Sequence, residues 1–116
     1  MTKVFNLIKL ADFSQKKGVL CIPEDLPAVK KDLLKTNNYT VALICLEKGQ
    51  EIPSHPEPYG ACFYVISGKG IFTIVKEQFE LSNGQMIYAA ANEVRAIQSL
   101  EKLTLLGVHD PHKMTV

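Results

Sequence analysis

Two residues in the middle of the chain, His55 and Glu57, pair side chains suited to proton transfer and metal ligation with a constrained backbone. Ile52, His55 and Glu57 each precede a proline, and the residue before a proline is steered to extended backbone. Positions two apart on an extended chain project to the same side, so the imidazole and the carboxylate face a common partner. Such a pair can orient a polar ligand, or supply two of the three protein ligands that a catalytic metal usually takes. Pro53, Pro56 and Pro58 crowd the same stretch, which suits the start or edge of a strand better than a sheet centre. His109-Asp110-Pro111-His112 forms a second cluster near the C-terminus. Without helical context an H-x-x-H reads first as a solvated tail, although His109 is the best outside candidate for a third metal ligand. The three cysteines, Cys21, Cys45 and Cys62, form no C-x-x-C pair and read as buried thiols in a reducing compartment. No oriented base accompanies Cys62, and the chain has no phosphate-cradling glycine loop or G-x-S-x-G elbow.

The segments that must hold these residues are short apolar stretches cut by turn chemistry. Tyr39 to Leu46, Cys62 to Ile66, Ile71 to Val75, Phe79 to Leu81, Met86 to Ala89, Val94 to Gln98 and Leu103 to Val108 are the predicted strands. Their short lengths and close spacing predict a sandwich or barrel rather than βαβ units. By alternation, Cys62 faces away from Ala61, Phe63 and Val65. Upstream, Val4 to Leu10 and Gly18 to Ile22 read as strands. Leu26, Val29, Leu33 and Leu34 recur at helical spacing. Acidic Glu24 and Asp25 precede Lys30, Lys31 and Lys35, an order that suits the helix dipole, so the segment from Pro23 predicts a short helix.

A chain of 116 residues and 12.9 kDa, 47% apolar and 22% charged, is sized and balanced for one globular domain over 1–116. That balance excludes a disordered tail and a disulfide miniprotein. Thirteen basic against twelve acidic residues leave a net charge of +1, so nucleic acid is not an expected partner. The longest apolar stretches, Val41 to Leu46 and Met86 to Ala91, are far short of a membrane span. Asn6 and Lys9 interrupt any signal-peptide core, and a cytoplasmic location is expected.

The stretch from Gly49 to Gly68 resembles the first motif of the cupin family: a glycine, five residues, His-x-His, then Glu and Gly at set spacings. Gly49 to His55 has that spacing, and Phe63-Tyr64-Val65-Ile66-Ser67-Gly68-Lys69-Gly70 looks like the strand and turn that follow. Gly84-Gln85-Met86-Ile87-Tyr88-Ala89-Ala90-Ala91-Asn92-Glu93-Val94-Arg95 has the rhythm of the second motif. The resemblance covers about 38–108. It implies an all-β, cupin-like double-stranded β-helix, or jelly-roll barrel, to which the short N-terminal helix is added. It also implies a homodimer, for which the Cys62, Tyr64 and Ile66 face could supply an apolar patch.

The family holds a divalent metal with two His and one Glu from the first motif and one His from the second. Of those positions only His55 matches; the others carry Glu57, Ala61 and Arg95. Ala61 cannot coordinate, and an arginine repels a cation. The resemblance therefore implies a small-molecule-binding barrel with a degenerate, metal-free site and no assignable catalytic activity. No cofactor is expected, and the partner is a small molecule for which an anion is one option. His55, Glu57 and Arg95 are its candidate polar contacts, with Phe63 and Val65 in the apolar lining. Arg95 is expected either to pair with Glu57 in the place of the metal or to grip a ligand carboxylate or phosphate. The alternatives are a metal-dependent enzyme, an oxygenase or isomerase using His55, Glu57 and His109, and a structural or regulatory homodimer. The plainest reading of each residue also stands: His55 filling the barrel mouth, Glu57 exposed on a stiff loop, Arg95 solvated at the surface.

Overall fold

Alternation of apolar and polar residues decides which face of each strand is inside, and β4 shows it most clearly. In this strand, Ala61–Ile74, Ala61, Phe63 and Val65 are buried while Tyr64 between them is exposed. The computed structural model describes residues 2–14 and 30–111. Around β4 lie β1 (Lys30–Lys35), β2 (Thr40–Leu46), β3 (Glu51–Pro56), β5 (Glu77–Ser82), β6 (Met86–Ala89) and β7 (Val94–His109). The only helix among the described residues is one turn, α1 (Leu7–Leu10).

All the strand pairs are antiparallel, and β4 and β7 run beside each other over nearly their whole length. Each serves two layers. The first half of β4 and the second half of β7 lie in one layer, β1-β2-β7-β4-β6. The second half of β4 and the first half of β7 lie in the other, β3-β7-β4-β5. The two strands change layer together where their register shifts, between Val65 and Gly70 on β4. Gly68 sits at that corner with φ +100°, and a Cβ there would collide with the Lys102 carbonyl of β7. Only glycine tolerates both conditions. The result is the jelly-roll barrel expected from the sequence. Its core joins Leu46, Val65, Phe72, Leu81, Leu103 and Leu105 from both layers.

Two expectations for the N-terminal third are corrected. Val4 to Leu10 is not a strand: Asn6 caps a helical turn, its Oδ1 accepting from the Lys9 amide at 3.1 Å. The helix expected from Pro23 onward does not reach Lys30–Lys35, which pairs with β2 as β1. Leu33 and Leu34 both gain partial burial there because a bulge between Asp32 and Leu34 shifts the register, so sheet pairing overrides the helical spacing. The strand expected over Gly18 to Ile22, the segment from Pro23 to Val29, Cys21 and His112 lie outside the described residues. Strands expected as separate, Cys62 to Ile66 with Ile71 to Val75 and Val94 to Gln98 with Leu103 to Val108, are the two halves of β4 and β7. No helix among the described residues is long and apolar enough to cross a membrane.

Candidate functional site

Among the described residues, the side chains at one end of the barrel leave space between them. Small residues explain the space: Ala42 on β2, Ala61 on β4 and Gly107 on β7 stand where the core elsewhere has leucine or phenylalanine. They leave a cavity of about 230 Å³ with Ile44, Ile52, Phe63 and Ile97 among its apolar walls. That is below the roughly 300–1,000 Å³ of pockets for drug-sized molecules, so the space suits a small ligand. Among the described residues its polar lining comes from six side chains: Lys30, His55, Glu57, Tyr59, Arg95 and His109.

Strand register brings these residues together. His55 on β3 is the direct cross-strand partner of Arg95 on β7, and direct partners share a face. His109, at the other end of β7, pairs with Ala61 and with Thr40. Lys30 pairs with Ile44 on β2, and both line the cavity. Its neighbour Lys31 points the other way, donating to the Leu10 carbonyl at 3.0 Å. The segment between β3 and β4 carries Glu57 and Tyr59. It is clamped by Asp110, whose Oδ2 accepts from the Gly60 amide and whose own amide donates to the Gly60 carbonyl, each at 3.1 Å.

Arg95 is the most deeply buried charge of the group, 3% exposed. Its Nη2 donates to the carbonyls of Ala90 at 2.8 Å and Tyr59 at 3.1 Å, and its Nε to that of Glu93 at 3.2 Å. Its Nη1 is buried and has no hydrogen-bond partner. A buried guanidinium N–H without an acceptor is costly, and an anion would relieve it. Its carbon Cζ lies 5.8 Å from the centre of the Tyr59 ring, within cation–π range. On that ring His109 stacks at 4.4 Å. His109 Nδ1 donates to the Asp110 carbonyl at 2.7 Å, which turns Nε2 toward Lys30 Nζ at 3.4 Å. In the tautomer set by that donation, Nε2 accepts from the ammonium. His55 Nδ1 donates to the Pro53 carbonyl at 2.8 Å, and its Nε2 lies 3.2 Å from Glu57 Oε1. Burial pushes the Tyr59 phenol up to about 12, helped by the Glu57 charge and by a hydrogen bond to Glu57, and opposed by Arg95.

Set against the sequence-based expectations, Arg95, His55, Glu57, Phe63 and His109 all line this one cavity. Val65 does not; it is fully buried in the packed core. The expected Arg95–Glu57 pair is also corrected. Glu57 is taken by His55 and Tyr59, which reach it from the same stretch of chain, while Arg95 is held by backbone carbonyls. His109 is a buried cavity residue rather than part of a solvated tail. The residues present do not fit the divalent metal that the family's intact motif holds. Among the described residues no group of three or more His, Cys, Asp or Glu could hold a metal ion. The guanidinium of Arg95 also stands across the strand from His55, where a cation would be repelled. Lys30 and Asp110 were not foreseen as site residues. A period-two reading of Lys30-Lys31-Asp32, basic inside and out, was the available signal for Lys30.

Comparison with known proteins agrees with this architecture. The family model described as a cupin domain matches residues 42–108. Among solved structures, an uncharacterised conserved protein with a double-stranded β-helix domain from Klebsiella pneumoniae superposes with a TM-score of 0.80. It shares 20% identity, over 99% of this chain and 95% of that one. An RmlC-like cupin protein from Desulfovibrio desulfuricans gives a TM-score of 0.78 at 17% identity, over 96% of this chain and 98% of that one. A conserved protein of unknown function from Streptococcus pyogenes gives 0.76 at 24% identity, over 98% and 91%. Identities this low speak for the fold alone. No functionally curated protein matches the chain.

Proposed function

The chain belongs to the cupin family, and from that premise we propose that it binds a small anionic molecule in its barrel without a metal. The observation that carries this reading is Arg95, 3% exposed, with a buried Nη1 that has no partner and a cavity beside it. A carboxylate or phosphate oxygen accepting from Nη1 would complete the guanidinium's hydrogen bonding. The carbonyls of Ala90, Tyr59 and Glu93 hold the fork in place before a ligand arrives, so little ordering remains to oppose binding. His55 and Glu57 add a hydrogen-bonding pair on the neighbouring strand, and Phe63 and Ile97 give the apolar wall. A cytoplasmic setting fits Cys45 and Cys62, which are free thiols.

Thermal unfolding of metal-stripped protein against a panel of small carboxylates and phosphates, with Mn, Fe, Ni and Zn in parallel, tests the reading. The expected result is a rise in Tm with particular anions and none with metals, and loss of the rise in Arg95→Gln. A metal-dependent rise that disappears in His55→Ala would contradict it and favour the metal-dependent oxygenase or isomerase built on His55, Glu57 and His109.

Homodimer formation is a second proposal, favoured by the outward side of the same strands. Tyr64, Met86, Tyr88 and Val108 are exposed there, and register places Tyr64 beside Met86 and Cys62 beside both Tyr88 and Val108. Exposed apolar rows of this kind mark association surfaces. Light scattering after size exclusion should return twice the 12.9 kDa chain mass, and a chain mass equal to the monomer would refute it.

A further inference from the structure

We infer that the cavity selects small linear dianions, with one negative group taken by Arg95 and the other by Lys30 beside His109. This deepens the anion-binding reading above and rests on it. The two cationic centres come from opposite layers of the barrel: Arg95 from the layer that pairs β7 with β3, Lys30 and His109 from the layer that pairs β2 with β1 and β7. Facing sheets pack about 10 Å apart, so a single carboxylate or phosphate held by Arg95 leaves the Lys30 side unmet. The two centres are connected through rings rather than by direct contact: Arg95 over Tyr59, Tyr59 stacked on His109, and His109 Nε2 3.4 Å from Lys30 Nζ.

Among the described residues, no carboxylate is given over wholly to Arg95 or to Lys30. Arg95 has only uncharged carbonyl acceptors and an unpartnered Nη1. Among the described residues, the carboxylate nearest Lys30, that of Asp32, lies at 3.7 Å and also serves Lys35 at 3.3 Å, so one negative charge is divided between two ammonium groups. Glu57, the only acidic residue of the lining among the described residues, is engaged by His55 and Tyr59. The same lining carries the apolar Ile44, Ile52, Phe63 and Ile97, a surface that accepts methylene groups and rejects polar ones. Cation, apolar wall and cation match a short chain that carries a negative group at each end.

The test uses butyrate, succinate and glutarate as probes, with inorganic phosphate as a dianion whose charges sit on one centre. Calorimetry on the unmodified protein should show succinate or glutarate binding at least about tenfold tighter than butyrate, the increment of one further charge-assisted hydrogen bond. Phosphate should be no tighter than butyrate. Lys30→Gln, at a partly exposed strand start, should weaken the dicarboxylates several-fold more than it weakens butyrate. Equal binding of butyrate and succinate by the unmodified protein would overturn the inference while leaving the Arg95 reading intact. Equal weakening of both by Lys30→Gln would do the same. Binding of none of the four probes would overturn both.

Discussion

The two ends of this barrel are built from the same two layers and the same alternation, yet among the described residues one is packed and the other encloses a cavity. At the packed end, Val65, Phe72 and Leu103 are fully buried, with Leu81 close to it, and large side chains from both layers meet. At the open end, Ala42, Ala61 and Gly107 occupy the equivalent inward positions and leave about 230 Å³. The polar side chains follow the same division, with Lys30, His55, Glu57, Tyr59, Arg95 and His109 all at the open end. On the proposed reading, stability and binding are concentrated in different halves of one fold. Substitutions should separate them.

The largest effect is expected at the packed end. Phe72 is completely buried and its ring lies 6.3 Å from that of Phe63. Phe72→Ala should cost about 3–5 kcal/mol through lost transfer energy and the void left behind. Urea unfolding measures it, and a cost below about 1 kcal/mol would mean that the end is not packed as described. At the open end the opposite sign is expected. A Cβ on Gly107 would sit 3.5 Å from Ile44 and 3.6 Å from Phe63, ordinary contact distances. Gly107→Ala should therefore raise stability by about 0.5–1 kcal/mol, the usual difference between the two residues in a strand, while weakening anion binding by narrowing the cavity.

The third effect concerns pH and is confined to strongly alkaline conditions. Tyr59 ionises near 12 in the folded protein against the usual 10.0 for an unfolded chain. Between those values the unfolded state sheds its proton first, so the Tyr59 contribution is whole below pH 10.0 and is lost as pH rises toward 12. An ultraviolet titration of the phenols should show one late component that vanishes in Tyr59→Phe. Its persistence in the variant would assign the late phenol elsewhere.

How much of this was legible in the sequence depends on the kind of signal each feature leaves. The strands β2 and β6 could be read closely because turn residues bound their apolar runs, Lys48-Gly49 after β2 and Ser82-Asn83-Gly84 before β6. The continuity of β4 could not. Gly68 and Gly70 look like a turn, and in the fold they are the corner at which the strand changes layer. Lys30 was hidden by a helical spacing that sheet pairing overrode. The place of Arg95 was legible only from the motif position it occupies. Its holding groups were not, because they are the backbone carbonyls of Tyr59, Ala90 and Glu93, and a carbonyl leaves no mark on a sequence. Glu57 offered the visible carboxylate, but the side chains two positions away on either side, His55 and Tyr59, reach it first.

The most direct test of the claim that Arg95 is an anion-binding group is a crystal structure of the protein grown in the presence of succinate. The account predicts electron density for the dicarboxylate in the cavity with one oxygen within about 3.2 Å of Arg95 Nη1, the range of an N–H···O bond. A metal ion ligated by His55 and Glu57, or a succinate bound elsewhere with Arg95 Nη1 turned out to solvent, would contradict it.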